Sequence, residues 1–199
     1  MKADEAAELM EKDKETDQFR QRAAVAIAFF AMVLAITGLG GNNATKDALN
    51  SNVLASNYFN FYQAKNMRAT SYRLAADEFE IGWLHDPALP AESKAKMQER
   101  LQFYRNTIDR YESDPKSGEG MKELLVRART HEAARDRAMK QDPYFDYAEA
   151  LLQIAIVLIS VSIVANVVWL AFFGGAIGII GGLLCINGFL LLVEIPGLS

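Results

Sequence analysis

Cysteine is nearly absent from this chain of 199 residues. The single one, Cys185, rules out an intrachain disulfide staple, and inside an apolar run it reads as a small packing residue. Histidine is scarce as well. His85 and His131 lie far apart, and neither has a second ligand at metal spacing, so solvated or packed imidazoles are expected rather than a metal centre. No glycine-rich phosphate loop follows a strand, and no Gly-x-Ser-x-Gly elbow occurs; both common signals of nucleotide and acyl-transfer chemistry are missing. With 21 basic and 25 acidic residues and a net charge of −4, the chain has no basic field for nucleic acid. No cofactor and no catalytic residue is expected.

Charge itself is missing from two long stretches. Residues 23–45 carry none, and residues 150–193 carry none. Eighteen or more uncharged apolar residues are enough to span a bilayer core. The second stretch would measure about 66 Å as one helix, twice that core, so it must fold back. Three spans are expected, at 23–39, 148–168 and 174–193, with the turn at 169–173. Trp169, Phe172 and Phe173 at that turn, and Tyr144, Phe145 and Tyr147 at the other end, suit interfacial aromatic belts. The first stretch is expected to be a retained span, because no small-residue cleavage site stands at its end; Gly38, Gly40, Gly41, Asn42 and Asn43 follow instead.

The spans hold Gln153, Ser160, Ser162, Asn166 and Asn187, and their acidic residues, Glu149 and Glu194, sit only at the ends. That counts against an ion-coupled transporter, which keeps such groups at membrane depth. Gly174, Gly178 and Gly182 share one face of the third span, beside a second small stripe of Gly181, Cys185 and Gly188. A glycine face lets backbones approach closely. Its partner is either the second span of the same chain or the third span of another copy. Lys12, Lys14, Arg20 and Arg22 precede the first span and only Lys46 closely follows it, which places the N-terminus in the cytoplasm. Arg135, Arg137 and Lys140 argue the other way, but the first span carries more weight.

The chain therefore divides into a charged arm at 1–22, the first span and its exit at 23–45, an extramembrane helical domain at 46–147, and a membrane hairpin with a short tail at 148–199. In the helical domain, Ala55, Tyr58, Tyr62, Lys65, Ala69, Tyr72, Ala76 and Phe79 recur at spacings of three and four, a heptad seam with one polar interruption. Met97, Leu101, Tyr104, Ile108 and Tyr111 repeat the pattern, and Leu124, Ala128, His131 and Ala138 continue it. Turn chemistry breaks the segment at residues 85–90 and 113–118. Asp-Pro recurs at 86, 114 and 142, a helix-start signal, and at 142 it is expected to start the second span. Helices at 46–82, 91–112 and 119–140 then give one arm going out and two returning, a coiled-coil-like hairpin. Tyr58, Tyr62, Lys65, Tyr72, Phe79, Leu101, Tyr104 and Ile108 are its candidate association residues. Lys65 has two readings: pairing with a carboxylate such as Asp109 or Glu112, or snorkelling to the surface. Gly118-Glu119-Gly120 reads as a flexible turn rather than an anion site.

Three stretches carry a resemblance. They are Ala55-Ser56-Asn57-Tyr58-Phe59-Asn60-Phe61-Tyr62-Gln63-Ala64-Lys65, Arg110-Tyr111-Glu112-Ser113-Asp114-Pro115 and Asp142-Pro143-Tyr144-Phe145-Asp146-Tyr147-Ala148-Glu149-Ala150. In them the chain resembles a bacterial membrane-protein family of unknown function. The resemblance implies one N-terminal span, a helical domain and a C-terminal pair of spans, and it implies no activity. The fold class expected is thus an all-α membrane protein with three transmembrane helices. The function expected is a non-enzymatic scaffold or accessory subunit of a larger membrane protein complex, a homo-oligomer in a lipid bilayer, in the bacterial inner membrane with the central domain periplasmic. The alternative is a low-selectivity channel of several copies, with Ser162, Asn166 and Asn187 lining the pore.

Overall fold

The computed structural model describes residues 3–85 and 88–196, with side chains for 14–82 and 88–196. The side chain of His85, with Asp86 and Pro87 of the first expected break, lies outside the described residues, as does the side chain of Lys12. Four helices follow in order: α1 (Ala3–His85), α2 (Ala91–Glu112), α3 (Met121–Ala165) and α4 (Val168–Leu190). No strand occurs among the described residues. Lys14–Gly82 of α1, all of α3 and all of α4 are long and apolar enough to cross a membrane. The chain forms two compact units, Leu49–Arg135 and the pair of segments Met1–Ala48 and Asp136–Ser199.

Arm, first span and outgoing helix run as one helix, α1. The glycines and asparagines after the first span continue it. Asn42 Nδ2 donates to the Gly38 carbonyl at 2.8 Å and Thr45 Oγ1 to the Gly41 carbonyl at 3.1 Å. Both bonds run one turn back along the helix, so these side chains satisfy themselves without opening it. Buried or half-buried positions of α1 recur every seven residues from Ala23 through Phe30, Thr37, Ala44, Ser51, Tyr58, Lys65 and Tyr72 to Phe79. An unbroken period gives the chain no reason to stop.

One correction concerns Asp142-Pro143. It does not start a helix; Pro143 lies inside α3. Proline deprives the Met139 carbonyl of its usual donor and costs about 3 kcal/mol in a helix interior. The neighbours of Pro143 are each held from outside α3. Lys140 Nζ bonds Glu194 at 2.8 Å, Gln141 Nε2 donates to the Phe189 carbonyl at 3.3 Å, and Asp142 Oδ1, at 2.9 Å, shares with the Gly41 carbonyl the one hydrogen of the Thr45 hydroxyl. With its carboxylate on Thr45, Asp142 caps nothing.

Asp114-Pro115 likewise opens a turn, not a helix, and α3 starts at Met121 rather than 119. Asp114 Oδ1 accepts the Ser117 N–H at 3.2 Å, and the Gly118 N–H donates to the Asp114 carbonyl at 2.8 Å, with Gly118 at φ +68°. Glu123 reaches back from α3 to accept Ser113 Oγ–H at 2.7 Å and the Asp114 N–H at 3.2 Å. Hydrogen bonds from Ser117 hold the Asp114 carboxyl below its ordinary value, and the bond from Ser113 does the same for Glu123.

The α3–α4 turn is shorter than expected. It is Asn166-Val167, and Trp169, Phe172 and Phe173 belong to α4. Asn166 adopts φ +56°, a left-handed conformation that asparagine tolerates. The Val167 N–H then reaches the Ser162 carbonyl at 3.0 Å, the six-to-one bond of a Schellman helix end.

Candidate packing and association site

Within Leu49–Arg135, α2 and the start of α3 run antiparallel to α1. Tyr72 meets Phe103, Tyr104 and Tyr111 at ring distances of 6.5, 5.6 and 6.0 Å, and Phe79 meets Tyr104 at 5.8 Å. Arg73 pairs with Glu112, and Arg105 with Glu80. Tyr58 stacks on His131 at 5.5 Å, and the Arg127 guanidinium lies 5.9 Å from the centre of the same tyrosine ring. Aromatic pairs of this kind add about 0.5–1.5 kcal/mol each beyond their area. Leu101 is buried, and Tyr62 and Ile108 are half-buried.

Lys65 is buried and pairs with a carboxylate, as one of its two sequence readings has it, but with a different one. It neither snorkels nor pairs with Asp109 or Glu112. Its ammonium lies 5.6 Å from the Phe61 ring, 5.8 Å from the Tyr111 ring and 3.6 Å from Glu119 Oε2. Glu112 is already taken by Arg73. Glu119, read as part of a flexible turn, supplies the counter-charge.

The segments Met1–Ala48 and Asp136–Ser199 pack by a different rule. Large rings and branched chains of one helix enter the bare backbone of another. A methyl group added at Gly40 would stand 2.6 Å from the Phe145 ring and 2.9 Å from Phe189; at Gly188 it would stand 2.9 Å from Phe145. Phe145 thus fills a socket made by α1 and α4, and it meets Phe189 edge-on at 4.8 Å. Gly174 receives Leu158 and Ile159, Gly181 receives Leu151 and Leu152, and Gly178 receives the ring of Phe30. Gly174, Gly178, Gly181, Cys185 and Gly188 are therefore the buried stripe of α4. Gly182 is not part of it. It faces open space and floors an apolar groove of about 420 Å³ beside Phe29, Val33 and Ile36 of α1. The glycine face thus finds its partners within the chain, on both α3 and α1. Sequence spacing missed Gly40, whose role exists only where Phe145 arrives.

Buried polar atoms are satisfied locally. Thr37 Oγ1 donates to the Val33 carbonyl at 2.8 Å and Ser162 Oγ to the Ile159 carbonyl at 2.6 Å. Asn187 exchanges two bonds with Val193, donating through Nδ2 at 2.8 Å and accepting through Oδ1 at 3.0 Å. Tyr144, buried, donates its hydroxyl to the Val193 carbonyl at 3.1 Å and accepts the Ile195 N–H at 3.0 Å. With the Lys140–Glu194 pair these bonds latch the tail after α4 onto the middle of α3. That pair's hydrogen bond and charge hold Glu194 below, and Lys140 above, their ordinary values. Ser162, Asn166 and Asn187 are not brought together: one is enclosed, one shapes the α3–α4 turn, and one ties the tail.

Among the described residues no cluster of three or more His, Cys, Asp or Glu side chains is placed to hold a metal. Residues 19–191 match the family described as Domain of unknown function (DUF4337), and the chain belongs to that family. No curated protein and no solved structure matches.

Proposed function

We propose that this DUF4337 chain is a non-enzymatic integral membrane scaffold, self-assembling and able to serve as an accessory subunit of a larger membrane complex. The observation that carries the membrane reading is the side-chain arrangement in the segments 1–48 and 136–199. Glycines and alanines face inward there beside a few large chains such as Phe30, Phe145, Leu152 and Ile159, while many large apolar chains, among them Val25, Phe29, Met32, Leu39, Val157, Val164 and Leu183, face outward. Water favours the reverse order, whereas lipid tails solvate large apolar chains and leave close helix contact to small ones. Three crossings put both ends of 49–135 on one side. The basic residues before the first span set the arm in the cytoplasm and 49–135 in the periplasm of a bacterial inner membrane.

Self-assembly is supported by a second stripe on α1. Val53, Met67, Leu74 and Ile81 lie at multiples of seven residues and are all exposed, Met67 by 73 %. In an aqueous domain such a stripe is an association surface, and a coiled-coil contact with another copy would cover it. Gly178, already filled by Phe30, is a poor place to test association. The test is Met67→Glu with Leu74→Glu, both outside the internal packing. Their oligomer in mild detergent should be smaller than that of the wild type by light scattering after size exclusion. An unchanged mass refutes self-assembly through α1. The channel reading rested on Ser162, Asn166 and Asn187, and nothing in their placement favours it.

A further inference from the structure

The groove where α1, the end of α3 and the start of α4 converge is open, and its chemistry changes along its length. It has a volume of about 530 Å³, within the range of about 300–1,000 Å³ usual for ligand pockets. Glu15, Gln18 and Arg22 of α1 line one end. Ala26, Ile159 and Gly175 are among the apolar residues lining the rest. Glu15 to Ala26 spans about 16 Å along the helix axis. Arg22 is the last charge before the uncharged stretch, so it stands at headgroup depth, with the exposed rings of Trp169 and Phe172 suited to the same interfacial layer.

None of the described residues fills this groove over Gly175. A methyl group at Gly175 would meet nothing within 4 Å, whereas at its neighbour Gly174 it would touch Leu158, Ile159 and the Ala155 carbonyl. A guanidinium binds phosphate through paired donors. The apolar floor beyond it suits a hydrocarbon chain.

We propose that this groove holds one glycerophospholipid, its phosphate on Arg22 and one acyl chain over Gly175. The proposal rests on the membrane reading above. Charge complementarity selects the headgroup phosphate, and Gln18 and Glu15 lie further out for its polar substituent.

The test uses the full chain purified in mild detergent and examined by native mass spectrometry through stepwise delipidation. Phosphatidylglycerol is then added back. Wild type should retain and regain one phospholipid per chain. Arg22→Gln should lower the bound fraction about tenfold, the equivalent of one charge-assisted bond. Gly175→Leu, whose Cβ meets nothing within 4 Å and whose side chain occupies the floor, should abolish retention. Gly38→Leu, outside the groove and also in open space, should retain lipid as wild type does. Equal retention by all four overturns the proposal. So does a change in oligomer mass with Gly175→Leu at unchanged lipid content, which assigns the groove to a second copy. Carbonate washing of the source membranes separates the two levels. Release of the intact protein refutes the membrane reading and this site together, whereas firm retention with unaltered lipid binding refutes the site alone.

Discussion

The two units share α1 and α3 and, along α1, one seven-residue period, yet fill their interiors differently. Along α1 the repeating positions hold Ala23, Phe30, Thr37 and Ala44 in one unit, and Tyr58, Lys65, Tyr72 and Phe79 in the other. In the first, helices approach until a few buried rings and branched chains press on bare backbone, and many other large apolar chains point outward. In the second, tyrosines and phenylalanines fill the space between helices, and ion pairs such as Arg73–Glu112 flank them. The period belongs to the helix; the choice of side chain belongs to the solvent. Lipid offers no gain for hiding a large apolar chain, while water does.

That contrast predicts which substitution damages which unit. The largest effect is expected from Tyr72→Ala, which removes the ring touching Phe103, Tyr104 and Tyr111. A loss of about 3 kcal/mol should appear as faster hydrogen exchange in 49–135, measured by mass spectrometry. Gly40→Leu should cost about 2–3 kcal/mol by overpacking against Phe145 and Phe189, with the exchange increase confined to 1–48 and 136–199. Gly38→Leu, in open space on the same helix, should cost nothing. Equal damage from the two glycine variants would break the comparison.

A smaller effect is expected from pH. The Lys140–Glu194 latch should hold between the depressed Glu194 value and the raised Lys140 value. It should loosen as pH falls through the first, when the carboxylate protonates, and as pH rises through the second, when the ammonium is lost. Exchange of the Ile195 amide, bonded to Tyr144, reports it; Glu194→Gln should make that exchange insensitive on the acid side. The smallest effect belongs to Arg73→Ala, a half-exposed ion pair worth about 0.5 kcal/mol. A loss several times larger in thermal unfolding would mean that charge, not the aromatic seam, holds the second unit.

Much of this was legible in residue spacing. The uncharged runs mark the apolar helices, and α2 has the bounds that periodicity and flanking proline predict. The break expected at 113–118 is present and runs on to Gly120, and its Asp-Pro serves the turn. Continuity was not legible. Asp142-Pro143 reads as a helix start, because its local chemistry is the same at a start and in an interior held from outside. Only the arriving partner decides: Thr45 at Asp142. The same limit hid Glu119 from Lys65, and placed the α3–α4 turn at the aromatic residues rather than at Asn166.

Topology tests the central claim most directly. Asp47→Cys and Arg137→Cys, both at exposed positions, can be labelled one at a time in sealed inverted and right-side-out vesicles with a membrane-impermeant thiol reagent; Cys185 is buried and does not compete. Three crossings predict that both positions react from the same face of the membrane. Reaction of one from each face would contradict them.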